Sequence, residues 1–295
     1  LPLPRLQAVP GPAVSLTVFS LAVLFTSVGA GAVGSILGLG GGILLIPILT
    51  IFYGVDIHYA MGASIISVIA TSSGAAASYL RTGLSNLRVG LFLVMATISG
   101  ALVGALLAGV VPVRALELIL GLALSYSAFT TIRQLHDELP EHLGEDRHAI
   151  RFDLGGRYHD LRLQREVAYR AQRVAPGFAA MFGAGLLSGM LGIGSGAFKV
   201  LAMDYLMRLP MKVSTATSNF MIGLTASASA GIYFSRGDIN VLIVAPVAIG
   251  VLAGAYLGTT LMARMRNTTV RKLFLPIVVY LAISMILRGL GIHLL

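Results

Sequence analysis

Two glycine clusters carry most of the chemistry this sequence has to offer. Gly38-Leu39-Gly40-Gly41-Gly42 recurs further along the chain as Gly192-Ile193-Gly194-Ser195-Gly196. Each interrupts a long apolar run and heads a short apolar segment of about twelve residues, roughly 18 Å as a helix, against a hydrocarbon core of about 30 Å. A break at such a cluster frees backbone N–H groups at the start of the next helix, where the macrodipole places partial positive charge. Glycine also lets a ligand approach the backbone closely. Both properties suit an oxyanion. Close helix packing through small residues is the competing reading for one cluster alone. Two clusters, each heading a half-length segment, favour binding at Gly38, Gly40, Gly41, Gly192, Gly194 and Ser195.

Hydroxyls and amides follow each cluster. Ser64 and Thr71 belong to the first set, and Thr217, Ser218, Asn219 and Thr225 to the second. Ser64/Thr71 and Ser218/Thr225 share a spacing of about two helical turns, so each pair sits on one helix face. Such groups donate to an anion without a fixed charge that would trap it. The alternative is hydroxyls bonding back to their own helix carbonyls. Lys199, just past Gly196 in an uncharged run, is the sharpest single residue, because an intramembrane lysine is costly and marks function by default. It would neutralise an anion or take part in proton coupling. A salt bridge with Asp204 or snorkelling to an interface is the structural alternative.

These residues fall in a duplicated framework. At the same offset as the clusters, Gly29-Ala30-Gly31 matches Gly183-Ala184-Gly185, Tyr79 matches Tyr233, Asn86 matches Asn240, and Gly100/Gly104 match Gly254/Gly258. Ten apolar segments result, at 13–37, 42–53, 58–80, 89–111 and 114–134, then 175–191, 196–207, 212–234, 239–263 and 267–290. The expected organisation is a tail (1–12), a first transmembrane repeat (13–134), a connector (135–173) and a second repeat (174–295). The 13–37 run is too long for the apolar part of a signal peptide and matches the second repeat, so it reads as a span. Pro47 is expected to shape the first half-helix and has no counterpart at Leu201. Mid-span Gly100/Gly104 and Gly254/Gly258 read as packing positions; they permit a homodimer, but contacts between the repeats explain them equally well, so monomer and homodimer both stay open.

Composition agrees with a membrane protein. The chain of 295 residues is 56% hydrophobic and only 11% charged, too little charge for a soluble domain. If five elements per half alternate sides, 16 basic residues lie with the connector and four opposite, with Lys199 left out. Fusing each short segment with its predecessor weakens this asymmetry, so the five-element arrangement is preferred. An odd number of elements makes the repeats inverted. The expected fold is therefore an all-α polytopic membrane protein of two inverted repeats, each with a half-length helix after its Gly cluster. It would sit in the plasma (inner) membrane with both termini outside and the connector cytoplasmic.

The net charge of +9 follows from those loop arginines and does not imply nucleic acid as a partner. The expected partners are a small anionic substrate and the lipid bilayer. Within the connector, residues around Gly155-Gly156 alternate as in a small hairpin, and Leu161 to Arg173 reads as an amphipathic surface helix. His136, His142, His148 and His159 match no metal-binding spacing, so the segment reads as a solvated linker. There is no cysteine, and no zinc-protease, nucleophile-elbow or Walker pattern. No metal or cofactor is expected beyond proton or sodium coupling, and no enzymatic activity.

The duplicated motifs resemble the sulfite exporter TauE/SafE family of membrane permeases. The resemblance is carried by the run from Gly34 to Pro47, the run from Gly185 to Gly196, Gly62-Ala63-Ser64 and Ala216-Thr217-Ser218. It covers nearly all of the chain outside the tail and the connector. Departures from the family pattern are Ser195 for Gly, Ala63 for Thr and Leu201 for Pro; Ser195 adds a hydroxyl donor. The resemblance implies secondary transport of small sulfur-containing oxyanions such as sulfite, sulfoacetate or other organosulfonates, with export the expected direction. A passive anion channel using the same site is the rival.

Overall fold

A computed structural model describes residues 16–37, 41–81, 84–133, 146–160, 165–262 and 267–292. The first half holds α1 (Leu16–Leu37), α2 (Gly42–Pro47) running into a π-helical turn (Ile48–Phe52), α3 (Ile57–Arg81), α4 (Leu87–Ala108) and α5 (Val113–Arg133). The connector holds α6 (Arg147–Arg151) and strands β1 (Gly155–Asp160) and β2 (Arg165–Arg170). The second half repeats the first, with α7 (Val174–Leu191), α8 (Gly196–Leu201) running into a π turn (Ala202–Leu206), α9 (Met211–Ser235), α10 (Val241–Met262) and α11 (Asn267–Gly289). Among the described residues, α1, α4, α7 and α10 contain stretches long and apolar enough to cross a membrane. Their outward faces are apolar too, with Phe25, Leu91, Met95, Leu106, Ile249 and Tyr256 exposed. Helices apolar on every side belong in lipid, where their backbone groups are satisfied internally. The protein is an all-α polytopic membrane protein.

The sequence duplication is also a duplication of packing. α1 packs along α10 as α7 packs along α4, and α3 touches α10 as α9 touches α4. The contacts correspond residue for residue. Gly250, Gly254 and Gly258 of α10 lie against the carbonyls of Leu24, Val28 and Ala32 in α1, and Gly100 and Gly104 of α4 against those of Phe182 and Leu186 in α7. Partner numbers rise together, so both pairs are parallel. A side chain at these glycines would collide with backbone, so contacts between the halves account for both Gly-x-x-x-Gly pairs.

Equivalent helices run in opposite directions where they meet. Gly62, near the start of α3, lies against the Asp238 carbonyl just past the end of α9. At the other end, Ser85 and Asn86, beyond α3, bond to Ala216 and Thr217 near the start of α9. α5 and α11 are likewise antiparallel, Gly121 lying against Ile286 and Gly289 against Arg114. An exchange of halves that reverses the helices is the packing of an inverted repeat. Local chemistry is duplicated as well. Asn86 caps α4 by accepting from the Val89 N–H at 3.0 Å, and Asn240 accepts from the Leu242 N–H at 3.0 Å at the head of α10. The π turns are closed by matching bonds, Val55 N–H to Leu49 and Leu209 N–H to Met203, both 3.0 Å. The second π turn forms after Leu201 just as the first forms after Pro47, so proline is not what produces it.

The connector departs from its expected form. Gly155 and Gly156 do not make the turn; they begin β1 and pair with Arg170 and Tyr169 of β2. The amphipathic helix expected over Leu161 to Arg173 is replaced by β2, because Arg165-Glu166-Val167-Ala168-Tyr169-Arg170 alternates with period two. Residues 161–164 lie outside the described residues, as do His136 and His142. Nor is the segment a solvated linker: Ala149, Leu154, Tyr158, Tyr169 and Ala171 share a core with Val89, Leu93, Met207 and Val213 of the bundle. Asn86 Nδ2 donates to the Gly155 carbonyl at 2.9 Å and to the Tyr169 hydroxyl at 3.0 Å. Asp146 accepts from the His148 and Ala149 N–H groups and, at 3.0 Å, from that of Val174 at the head of α7. These bonds, that of Val174 foremost, hold its carboxyl below the ordinary carboxylate range.

Candidate functional site

The two helix breaks meet where α3 crosses α9. Gly41 enters α2 with φ of 71°; before α8, Gly192, Gly194 and Ser195 have φ of 67°, 72° and 46°. Glycine takes this left-handed region freely, whereas Ser195 does so at a cost of about 1–2 kcal/mol. Neither half-helix has a side-chain cap on its first turn. The second break is stitched to the crossing instead. Ser64 of α3 donates to the Gly192 carbonyl at 2.6 Å, a bond between halves, and Ser218 of α9 donates to the Gly196 carbonyl at 3.3 Å. The approach is tight enough to require glycine. A Cβ at Gly42 would lie 2.5 Å from both Ser64 Oγ and Val68 Cγ2, and one at Gly194 would lie 2.8 Å from Val68 Cγ1 and 3.0 Å from Ile222 Cγ2.

Lys199, one turn into α8, is fully buried. Its Nζ donates to Thr225 Oγ1 at 3.0 Å. That oxygen in turn bonds to the Met221 carbonyl at 2.8 Å and lies 3.0 Å from Thr97 Oγ1 of α4. Among the described residues Lys199 has no carboxylate partner, so neither the salt bridge with Asp204 nor snorkelling describes it. Ser195, on the same face one turn earlier, is also buried, and its Oγ has no hydrogen-bond partner among the described residues. Spare donors therefore collect at the second break. The corresponding face of the first half-helix is apolar: Ile43, Leu44, Leu45 and Ile46 are all buried, and Leu45 occupies the position equivalent to Lys199.

The remaining candidates divide. Gly38 and Gly40 lie outside the described residues. Thr71 is buried and bonds to the Ser67 carbonyl of its own helix at 2.9 Å. Thr217 accepts from the Asn86 N–H at 3.0 Å, and Asn219 donates to the Thr215 carbonyl at 3.1 Å. The second break thus gathers Gly192, Gly194, Ser195, Lys199, Ser218 and Thr225, with Ser64 reaching it from α3 across the crossing, while Gly41 heads the first half-helix. Thr97 was not among the expected residues; its signal was a hydroxyl in the middle of an apolar span, two residues before that of Ser99. Other ion pairs lie away from the breaks. Arg288 of α11 pairs with Glu117 of α5 at 3.3 Å and donates to the Thr50 carbonyl at 2.9 Å, beside a cavity of about 290 Å³ also lined by Asp56. Arg236 bonds to Asp238 and to the Ala105 carbonyl and lies over the Tyr233 ring at 4.7 Å.

The sequence pattern of the sulfite exporter TauE/SafE proteins matches residues 23–285, spanning both breaks. The chain belongs to that family. It is similar to two proteins of Bacillus subtilis (strain 168). One is the probable membrane transporter protein YunE, 26% identical over 273 residues, which are 88% of this chain and 95% of YunE. The other is the probable membrane transporter protein YdhB, 25% identical over 244 residues, 82% of this chain and 86% of YdhB. No solved structure matches. Membership of the TauE/SafE family makes the protein a membrane transporter of the sulfite exporter type, and the duplicated breaks lie inside the matched region.

Proposed function

We propose that the protein is a secondary transporter that moves one small sulfur-containing oxyanion at a time, such as sulfite, sulfoacetate or another organosulfonate, and that it works as an exporter. The anion binds at the second break, against Lys199 Nζ, Ser195 Oγ and the freed N–H groups that follow Gly192. One observation carries this reading: a fully buried lysine whose partner is a single hydroxyl rather than a carboxylate. A lone buried cation is tolerated where a mobile anion supplies its counter-charge. Access alternates as the two halves rock against each other about the α3–α9 crossing, the motion that inverted repeats permit. The inner membrane, with the arginine-rich connector cytoplasmic and both termini outside, is the placement that charge asymmetry supports.

Binding of sulfite, sulfoacetate, taurine and sulfate to purified protein, wild type beside Lys199→Ala, tests the site. Saturable binding of a sulfur oxyanion that the substitution abolishes is the expected result. Binding that survives the substitution moves the site away from Lys199. A passive channel with the same donors predicts flux that never accumulates substrate against its gradient, so uptake into vesicles with and without an imposed proton gradient separates the two.

A further inference from the structure

Because α4 and α7 run parallel, their first turns lie side by side at the connector end of the bundle. Phe92 of α4 and Phe178 of α7 bring their rings together at 5.4 Å. Counted from Leu87 and Val174 at the helix heads, both stand about 6–8 Å along the axis. Phe152, just past α6, packs on Phe92 with ring centroids 5.0 Å apart. These three rings, with Val174, Ala175 and His148, line a groove of about 310 Å³. Its surroundings are apolar and open: Leu91 and Met95 on α4, Phe182 on α7 and Ile150 on α6 are all exposed. Apolar side chains exposed at this depth suit the boundary between headgroups and acyl chains.

Basic groups flank the groove. Arg147 and Arg151 lie four residues apart, so they share one side of α6, and both are exposed. The Arg151 guanidinium lies over the Phe152 ring at 5.8 Å, and Arg173, also exposed, adjoins Val174. The carboxylates here are engaged. Asp146 accepts from backbone N–H groups and lies 3.5 Å from His148, and Asp153 pairs with Arg88. Among the described residues Arg147, Arg151 and Arg173 form no ion pair.

We propose that the groove binds one anionic phospholipid, its acyl chain on Phe92, Phe152 and Phe178 and its phosphate between Arg147 and Arg151. A guanidinium can pair with phosphate oxygens through two parallel N–H bonds, and a basic pocket between membrane helices suits an anionic headgroup. A zwitterionic lipid brings its own ammonium, which the arginines repel, so the site selects by net charge. The bound lipid ties the connector to the bilayer next to the second half-helix. There the Gln172 N–H bonds to the Met207 carbonyl at 2.9 Å, where the second π turn ends. Lipid selection at the groove is independent of which anion is carried.

The chain has no tryptophan, so Phe152→Trp places a single fluorescent reporter in the groove. The full chain is reconstituted in bilayers containing phosphatidylglycerol or phosphatidylcholine brominated on the acyl chain. Two arginines near a membrane surface are together worth about ten-fold or more in relative affinity, so half-maximal quenching is expected at a correspondingly lower mole fraction of phosphatidylglycerol. Adding Arg147→Gln and Arg151→Gln should remove this preference, and high salt should shrink it. Ile249→Trp, on the exposed side of α10, should be quenched by both lipids alike. Ile150→Trp replaces the reporter if the Phe152 variant does not fold. Equal quenching by the two lipids at the groove overturns the proposal, as does quenching by neither. A preference that survives the glutamine substitutions also overturns it. So does a preference abolished by inorganic phosphate at constant ionic strength, which assigns the arginines to a free anion. Sulfonate binding, read separately with Lys199→Ala, is untouched by any of these results.

Discussion

Replacing Gly194 by alanine separates the demands of the break from the general tolerance of glycine. Two costs add at this position. The backbone sits at φ of 72°, which costs an L residue about 1–2 kcal/mol. The new Cβ would lie 2.8 Å from Val68 Cγ1 and 3.0 Å from Ile222 Cγ2, and overpacking of this kind costs about 1–3 kcal/mol. The expected loss is therefore about 2–5 kcal/mol. Two controls isolate the terms. Gly237 has φ of 80° with nothing within 4 Å of a Cβ, so Gly237→Ala carries the backbone term alone. Gly183 lies within α7 with nothing within 4 Å, so Gly183→Ala is neutral or stabilising by up to about 1 kcal/mol. Apparent melting in detergent should rank Gly183→Ala above Gly237→Ala above Gly194→Ala, and sulfonate flux should be lost in the last alone. If Gly194→Ala melts and transports like Gly183→Ala, the close packing of the break against α3 and α9 is refuted.

Further outcomes follow from single contacts. Asn86→Ala removes the α4 cap, worth about 1 kcal/mol, together with the bonds to Gly155 and Tyr169; protease cleavage of the connector should rise, whereas Asn240→Ala, a cap alone, should leave it unchanged. Asp146 contributes stability that is present above the unfolded aspartate value of about 4 and is lost as the pH falls through its lower folded value. The protease resistance of the hairpin should therefore decline in acid, and Asp146→Asn should weaken that dependence. Thr225→Val removes the acceptor of Lys199 and leaves a buried polar group unpaired, at about 1–3 kcal/mol; anion affinity should change far more than for Ser99→Ala, whose hydroxyl bonds to its own helix at Met95.

The bundle was legible because every signal that defines it is periodic or duplicated. The ten apolar segments agree with the ten bundle helices to within a few residues, and the glycine matches coincide with the backbone contacts of α1 with α10 and of α4 with α7. The connector was less legible, since the pairing of Gly155 and Gly156 with Tyr169 and Arg170 is a tertiary choice. Period-two alternation in β2 is too short to compete with a helical reading until Tyr158 and Tyr169 have a core to enter. At the breaks, Lys199 announced itself by charge, whereas Thr97 did not. A buried threonine in an apolar span ordinarily bonds to its own helix, as Thr97 does to Val94 at 3.0 Å; only the approach of α9 brings it to Thr225.

The symmetry of the scaffold sharpens the meaning of the site, because the site is where the symmetry fails. Packing glycines, helix caps and π turns occur in both halves. Lys199, Ser195, Thr97 and Asn219 do not: Leu45, Gly41, Val251 and Ile65 stand in the equivalent places. Two lysines related by the same exchange would put two positive charges near one crossing in a medium that screens them poorly. One lysine, facing hydroxyls and a break, needs only one counter-charge. A duplicated fold thus supplies two half-helices, while the buried donors collect at one of them, as the proposed site for a single anion requires.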